Sequence, residues 1–197
     1  LQSENDGHHK ILLTARGPKP LFCVGRIMGI TGPGNSGKTT FIVNFMEAYP
    51  EMRYAVLKHD PKDKACLDTP GKDSYRFFHA GANVGIFSEK KTGLFFHHPM
   101  SVENLVASLR PFDLLFLEGL KENPYKKIGI FHREIQTSYL SYVSAIIVRN
   151  PDLSIDRGID LAETTLPVFS IRDGNPPENA PVLENIKEWI IQNASRD

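Results

Sequence analysis

Gly32-Pro33-Gly34-Asn35-Ser36-Gly37-Lys38-Thr39-Thr40 decides the fold of this chain, because it fits the pattern G-x-x-x-x-G-K-[ST] with the right neighbours on both sides. Before it, the apolar run from Phe22 to Ile30 reads as a buried strand; after it, Phe41-Ile42-Val43-Asn44-Phe45-Met46 continues as a helix. Gly32, Gly34 and Gly37 free the backbone to curl so that successive N–H groups point inward, and the helix N-terminus adds its partial positive charge. An anion belongs in such a cradle. The pattern makes Gly34, Asn35, Ser36, Gly37 and Thr40 lining residues, aims Lys38 at the β- and γ-phosphates of a nucleoside triphosphate, and places the Thr39 hydroxyl to ligate Mg²⁺.

Working outward, 197 residues suffice for one α/β domain with its own core. Residues 1 to 20 are mixed and end in the breaker Gly17-Pro18-Lys19-Pro20, so they read as an extension before a domain of residues 21–197. The 23 basic and 23 acidic residues cancel, which argues against a nucleic-acid partner and for a small phosphorylated ligand. Cys23 and Cys66 form neither a C-x-x-C pair nor a disulfide framework, and a reducing compartment is the economical expectation. No run of 18 apolar residues occurs and Leu1 to Pro20 lacks the apolar core of a signal peptide, so a cytoplasmic protein with no membrane partner is expected.

Strand and helix signals alternate along the chain. Arg53 to Lys58 reads as a second strand, Lys72 to Ala80 as a helix, and Ala82 to Phe87 and Leu94 to His97 as short strands around a turn at 90–93. Ser101 is placed to N-cap a helix reaching Arg110, and Leu114-Leu115-Phe116-Leu117 is a strand buried on both faces. Further strands are expected at Lys127 to Phe131, Ser144 to Val148 and Pro167 to Ile171, and a last helix at Val182 to Gln192 with Trp189 on its core face. In 121–143 the two periodicities mix. The order specifies a doubly wound, mostly parallel α/β sheet of the P-loop NTPase-like kind, with a small antiparallel insertion.

A triphosphate site needs a carboxylate at the carboxyl end of a neighbouring strand. Asp113 and Glu118 flank one strand, roughly 16 Å apart at about 3.3 Å per residue, so they cannot serve one ion. Glu118 is at the correct end, and Gly119, without a side chain, lets backbone or phosphate approach. Asp113 reads as a turn residue. Lys58, His59 and Asp60 end the second strand on the same side, whereas His97 and His98, adjacent on a strand, point to opposite faces and form no chelate.

Four segments, in order, carry a resemblance to the MobB family of molybdopterin-guanine dinucleotide biosynthesis adaptors: Gly32 to Thr40; Val56-Leu57-Lys58-His59; Pro70-Gly71-Lys72-Asp73-Ser74-Tyr75-Arg76 continuing to Ala80-Gly81-Ala82; and Asp113 to Lys121. The third segment discriminates, since phosphate loops are common to many families. The resemblance implies a homodimer that binds GTP with Mg²⁺, hydrolyses it slowly, and assists a MobA-type guanylyltransferase in attaching GMP to molybdopterin, itself a further ligand. It gives Lys38 and Glu118 any catalytic role, Thr39 and Glu118 the metal, and puts Lys58, His59, Lys72, Asp73, Ser74 and Arg76 around the loop after the second strand. Taken alone, Asp73 and Arg76 read as a surface i,i+3 ion pair. The chain departs from the family in having Asp60-Pro61 after the Lys-His pair and in lacking N-K-x-D; Asp152 and Asp173 are the candidates for the guanine edge. A P-loop kinase of small metabolites is the alternative, with Glu118 as base, although the region expected to supply a lid offers only Lys121, Lys126, Lys127 and Arg133.

Overall fold

A computed structural model of the chain describes residues 24–63, 69–132, 134–149, 164–172 and 176–197. The N-terminal extension with Cys23, the Cys66 segment, Arg133, Asp152 and Asp173 lie outside the described residues.

The elements alternate as the apolar pattern demands: β1 (Arg26–Thr31), α1 (Lys38–Ala48), β2 (Tyr54–Lys58), α2 (Asp73–His79), β3 (Val84–Phe87), β4 (Thr92–Phe95), α3 (Val102–Ser108), β5 (Leu114–Glu118), β6 (Lys127–Phe131), a 3₁₀ turn at Thr137–Tyr142, β7 (Ala145–Arg149), β8 (Val168–Ile171), α4 (Pro176–Asn193) and β9 (Ser195–Arg196). The main sheet runs β2-β5-β1-β6-β7-β8, all parallel, and β3-β4 form a separate antiparallel hairpin. This is a P-loop NTPase-like fold. Strand order reverses at β1, with β5 on one side and β6 on the other, so the crevice in which sheets of this kind take ligands opens above the carboxyl end of β1.

Period-two alternation builds both faces of the sheet. Met28, Ile30, Leu114, Phe116, Ile128, Ile130 and Ile147 turn toward α1 and α4, where they meet Phe41, Phe45, Ile186 and Ile190. Phe116 sits edge-on to Phe41 and Phe45 and stacks on Tyr54. On the other face Ile27, Leu115 and Leu117 pack with Val106 of α3 and Phe112. This double burial explains why β1 and β5 lack a polar stripe.

Three boundaries differ from expectation. The hairpin turn comes earlier, because the Ser88 hydroxyl accepts from the amides of Lys90 and Lys91 while Lys91 O accepts from Ser88 N. The second strand of the hairpin is therefore Thr92–Phe95, and His97 falls beyond it, donating from its ring to Phe78 O and stacking on Phe78. Helix α4 begins at Pro176 rather than Val182 and runs through Pro181, with the Asn179 amide bonded to both Arg172 N and Arg172 O. Strand β9 was not expected. It pairs antiparallel with Arg26 and Ile27, a stretch of β1 that β6 leaves open because β6 begins opposite Gly29.

Candidate functional site

The phosphate loop joins β1 to α1 in a conformation that only part of its glycines explain. Gly32 and Gly37 have φ of 140° and 92°; a Cβ on the first would collide with the Ile130 carbonyl and on the second with the Arg149 guanidinium. Gly34 does not take a left-handed φ and faces open space; Asn35 carries that turn at φ 59°, which asparagine tolerates. Helix α1 has no side chain capping its first turn and no acidic residue in it. Its amides therefore face the crevice as donors for an anion.

A cleft of about 420 Å³ opens there, lined by Asn35, Gly37, Lys38, Thr39, Thr40, Lys58, Glu118 and Arg149. The Thr39 hydroxyl donates to Glu118, 3.0 Å from Oε1 and 3.2 Å from Oε2, and Lys58 Nζ lies 3.7 Å from the same carboxylate. Glu118 is only 6 % exposed, as the last residue of β5. Its position is held by backbone: Glu118 O accepts from His59 N, and Gly119 N donates to Ile30 O. Lys38 folds back on the loop, donating to Gly32 O at 3.0 Å and Pro33 O at 2.6 Å. Burial holds its ammonium below the usual lysine range, Glu118 opposes that shift and Lys58 adds to it. An anion in the cleft would reverse the imbalance.

Of the residues named from sequence, the structure brings Asn35, Gly37, Lys38, Thr39, Thr40, Lys58 and Glu118 to one cleft. Gly34, Asn35 and Ser36 line a second cleft on the other flank of the loop, with Pro33, His132, Glu134 and Gln136. His59 adjoins Glu118 through its backbone while its ring is exposed. Lys72 and helix α2 line neither cleft; Asp73 and Arg76 form an exposed i,i+3 pair at 3.7 Å. Asp113, at the opposite end of β5, is fully buried and held by Arg53. Two of the candidate lid cations have other partners: Lys127 is buried and donates to Asn123 O and Tyr125 O, and Lys121 Nζ sits 4.7 Å and 4.5 Å from the ring centres of Tyr139 and Tyr142.

Arg149, His132, Glu134 and Gln136 were not singled out from sequence. The signal for the first two was present: each follows an apolar strand at its carboxyl end, the argument that selected Glu118. Glu134 and Gln136 sit in a stretch without clear periodicity and had no such mark.

The comparisons agree with this architecture. The family model described as MobB, molybdopterin guanine dinucleotide synthesis protein B, matches residues 27–149. A putative molybdopterin-guanine dinucleotide biosynthesis adapter protein of Methanocaldococcus jannaschii is 33% identical over 99 residues, which are 49% of this chain and 42% of that protein. The chain thus spans less than half the length of that relative. Among solved structures, Bacillus subtilis MobB superposes with a TM-score of 0.61 at 24% identity, covering 83% of this chain and 96% of that one. A MobB homolog from Bacillus stearothermophilus gives 0.57 at 18%, covering 84% and 98%. At these identities the superpositions speak to the fold, while the family model spans the loop, β2, the α2 region and β5 together. This chain belongs to the MobB family.

Proposed function

We propose that the protein is a GTP-binding adaptor with slow GTPase activity that assists a MobA-type guanylyltransferase in guanylyl transfer to molybdopterin. The observation that carries this reading is the convergence of Lys38, Thr39, Lys58 and Glu118 on one cleft at an uncapped helix N-terminus. Loop amides and Lys38 would bind the β- and γ-phosphates, Lys38 exchanging the Gly32 and Pro33 carbonyls for phosphate oxygens. Arg149, against the loop at Gly37, would add a second cation on the helix side.

The donor set fits Mg²⁺, since a hydroxyl and a buried carboxylate that already meet at 3.0 Å are hard oxygen ligands of the kind it takes, with phosphates and water completing the shell. Thr39 and Glu118 would hold the ion, which would neutralise charge on the β- and γ-oxygens. Glu118 is the single carboxylate among the described residues lining this cleft. Committed to the metal, it is a poor base for water, and slow hydrolysis follows.

A cytoplasmic homodimer completes the reading. Among the described residues the β3-β4 hairpin has free edges and exposes Phe87 and Leu94 at 85% and 62%, and Phe77 of the neighbouring α2 is exposed at 60%. Lys72, Asp73, Ser74 and Arg76, on or beside the helix next to that hairpin, would reach phosphates only across such a dimer. No helix among the described residues is long and apolar enough to cross a membrane.

Two measurements test the proposal. Lys38→Ala should weaken GTP binding at least a hundredfold in titration calorimetry, and unchanged binding would remove the phosphate-loop assignment. GTP turnover should stay slow alone and respond to a MobA-type enzyme; fast, partner-independent transfer to a small acceptor would establish a kinase instead.

A further inference from the structure

The charged side chains of the cleft arrive on one face of the sheet by simple alternation. On β5, Leu114 and Phe116 turn toward α1 and α4, so Glu118 turns the same way. On β7, Ala145 and Ile147 face those helices, and Arg149, the last residue of the strand, continues that row. Both side chains emerge beside the first turn of α1, from opposite sides. Strands β1 and β6 lie between β5 and β7, and three spacings of about 4.8 Å set the two backbones roughly 14 Å apart. The end of β7 is held in place, since this interior strand pairs with β6 and, at Arg149 itself, with Ile171 of β8.

The cleft therefore has a direction. Thr39, Glu118 and the Lys58 ammonium occupy its β5 side, and Lys38 bends back to Gly32 O and Pro33 O at the start of the loop. A metal held by Thr39 and Glu118 bridges β- and γ-oxygens, which commits those two phosphates to that side. The α-phosphate and the nucleoside are left for the side lined by Thr40 and Arg149. Between these two, charge decides. The Arg149 guanidinium lies against Gly37, the N-cap residue of α1, whose missing side chain leaves room for it. A cation there opposes the helix macrodipole; an anion held between the guanidinium and the first-turn amides turns one repulsion into two attractions, and a neutral base would not.

We propose that Arg149 binds the α-phosphate, so that the nucleotide lies across the loop with its γ-phosphate toward β5 and its nucleoside toward β7. The inference rests on the proposed function only in taking the ligand to be a nucleotide whose Mg²⁺ sits at Thr39 and Glu118. It divides the work of the cations. Lys38 serves the β- and γ-phosphates, while Arg149 serves a phosphate common to di- and triphosphates and remote from the metal.

The test is calorimetry on the full chain with GTP, GDP and tripolyphosphate, each with Mg²⁺ and with EDTA. Arg149→Ala should weaken all three by one common factor of at least tenfold, the same with and without the ion, because the lost contact is charge-assisted and does not involve the metal. Arg149→Lys keeps the charge and loses the planar fork, so it should give the same pattern at smaller size, and it carries the comparison if Arg149→Ala does not fold. Three results would overturn the assignment. A loss confined to GTP would put Arg149 at the γ-phosphate; a loss for GTP and GDP but not tripolyphosphate would put it at the base; and no loss in a folded variant would leave it a packing residue. Lys38→Ala in the same series keeps the two readings apart. If it weakens GTP while the Arg149 variants do not, the α-phosphate assignment alone fails, whereas unchanged binding in Lys38→Ala removes the phosphate loop itself.

Discussion

Asp113 and Glu118 are two buried acids on one strand, and the ends they occupy give them different work. Asp113 accepts from Arg53 N at 2.9 Å and from the guanidinium at 3.2 Å and 3.3 Å, tying β5 to the start of β2. Removing the buried Asp113 leaves the half-buried Arg53 guanidinium and the Arg53 amide without their acceptor, so Asp113→Ala should cost about 3 kcal/mol in urea unfolding and leave nucleotide affinity of the folded protein unchanged. Glu118→Gln should do the reverse, with stability nearly kept and Mg²⁺-dependent GTP binding weakened at least tenfold, as read by titration with and without the ion. The polarity of a parallel strand made that separation legible from sequence. The ion pair of Asp113 was not legible, since Arg53 lies 60 residues away.

Among elements, α2 and the β3-β4 hairpin form the least embedded unit. Helix α2 has no buried residue, and it is joined to the hairpin through Phe78, which meets Phe95 and stacks on His97. The apolar side chains of Phe87 and Leu94 are exposed, with none of the described residues covering them. Phe87→Ser with Leu94→Ser should shift sedimentation from dimer to monomer without changing the far-ultraviolet spectrum; a wild-type monomer at the same concentration would refute the hairpin as the joint. Period-two alternation revealed both strands. The turn between them lies at 88–91 rather than at the 90–93 that propensity suggested, because the Ser88 hydroxyl accepts from the amides of Lys90 and Lys91.

For the whole molecule, the site ties together β1, α1, β2, β5 and β7, so occupancy should stiffen most of the main sheet. With GTP and Mg²⁺ at a hundred times Kd, linkage adds about 2.7 kcal/mol, which for a chain of this size is a rise in Tm of roughly 5–10 °C. Chelation by EDTA should remove much of the rise and Lys38→Ala all of it. A rise that survives Lys38→Ala would place nucleotide elsewhere.

Local pattern by itself determined the parallel sheet, the phosphate loop, the end of β5 that faces the cleft beside that loop, and the resemblance that the family model bears out. These are properties of contiguous residues, written in hydrophobic period and glycine spacing. Only the tertiary structure decided that Asn35 carries the left-handed turn, that Arg149 lies against Gly37, that β9 closes the open start of β1, and that His132, Glu134 and Gln136 face the loop from β6. All but the first join groups far apart in the chain through close packing of neighbouring strands, and no period in a single segment encodes such a meeting.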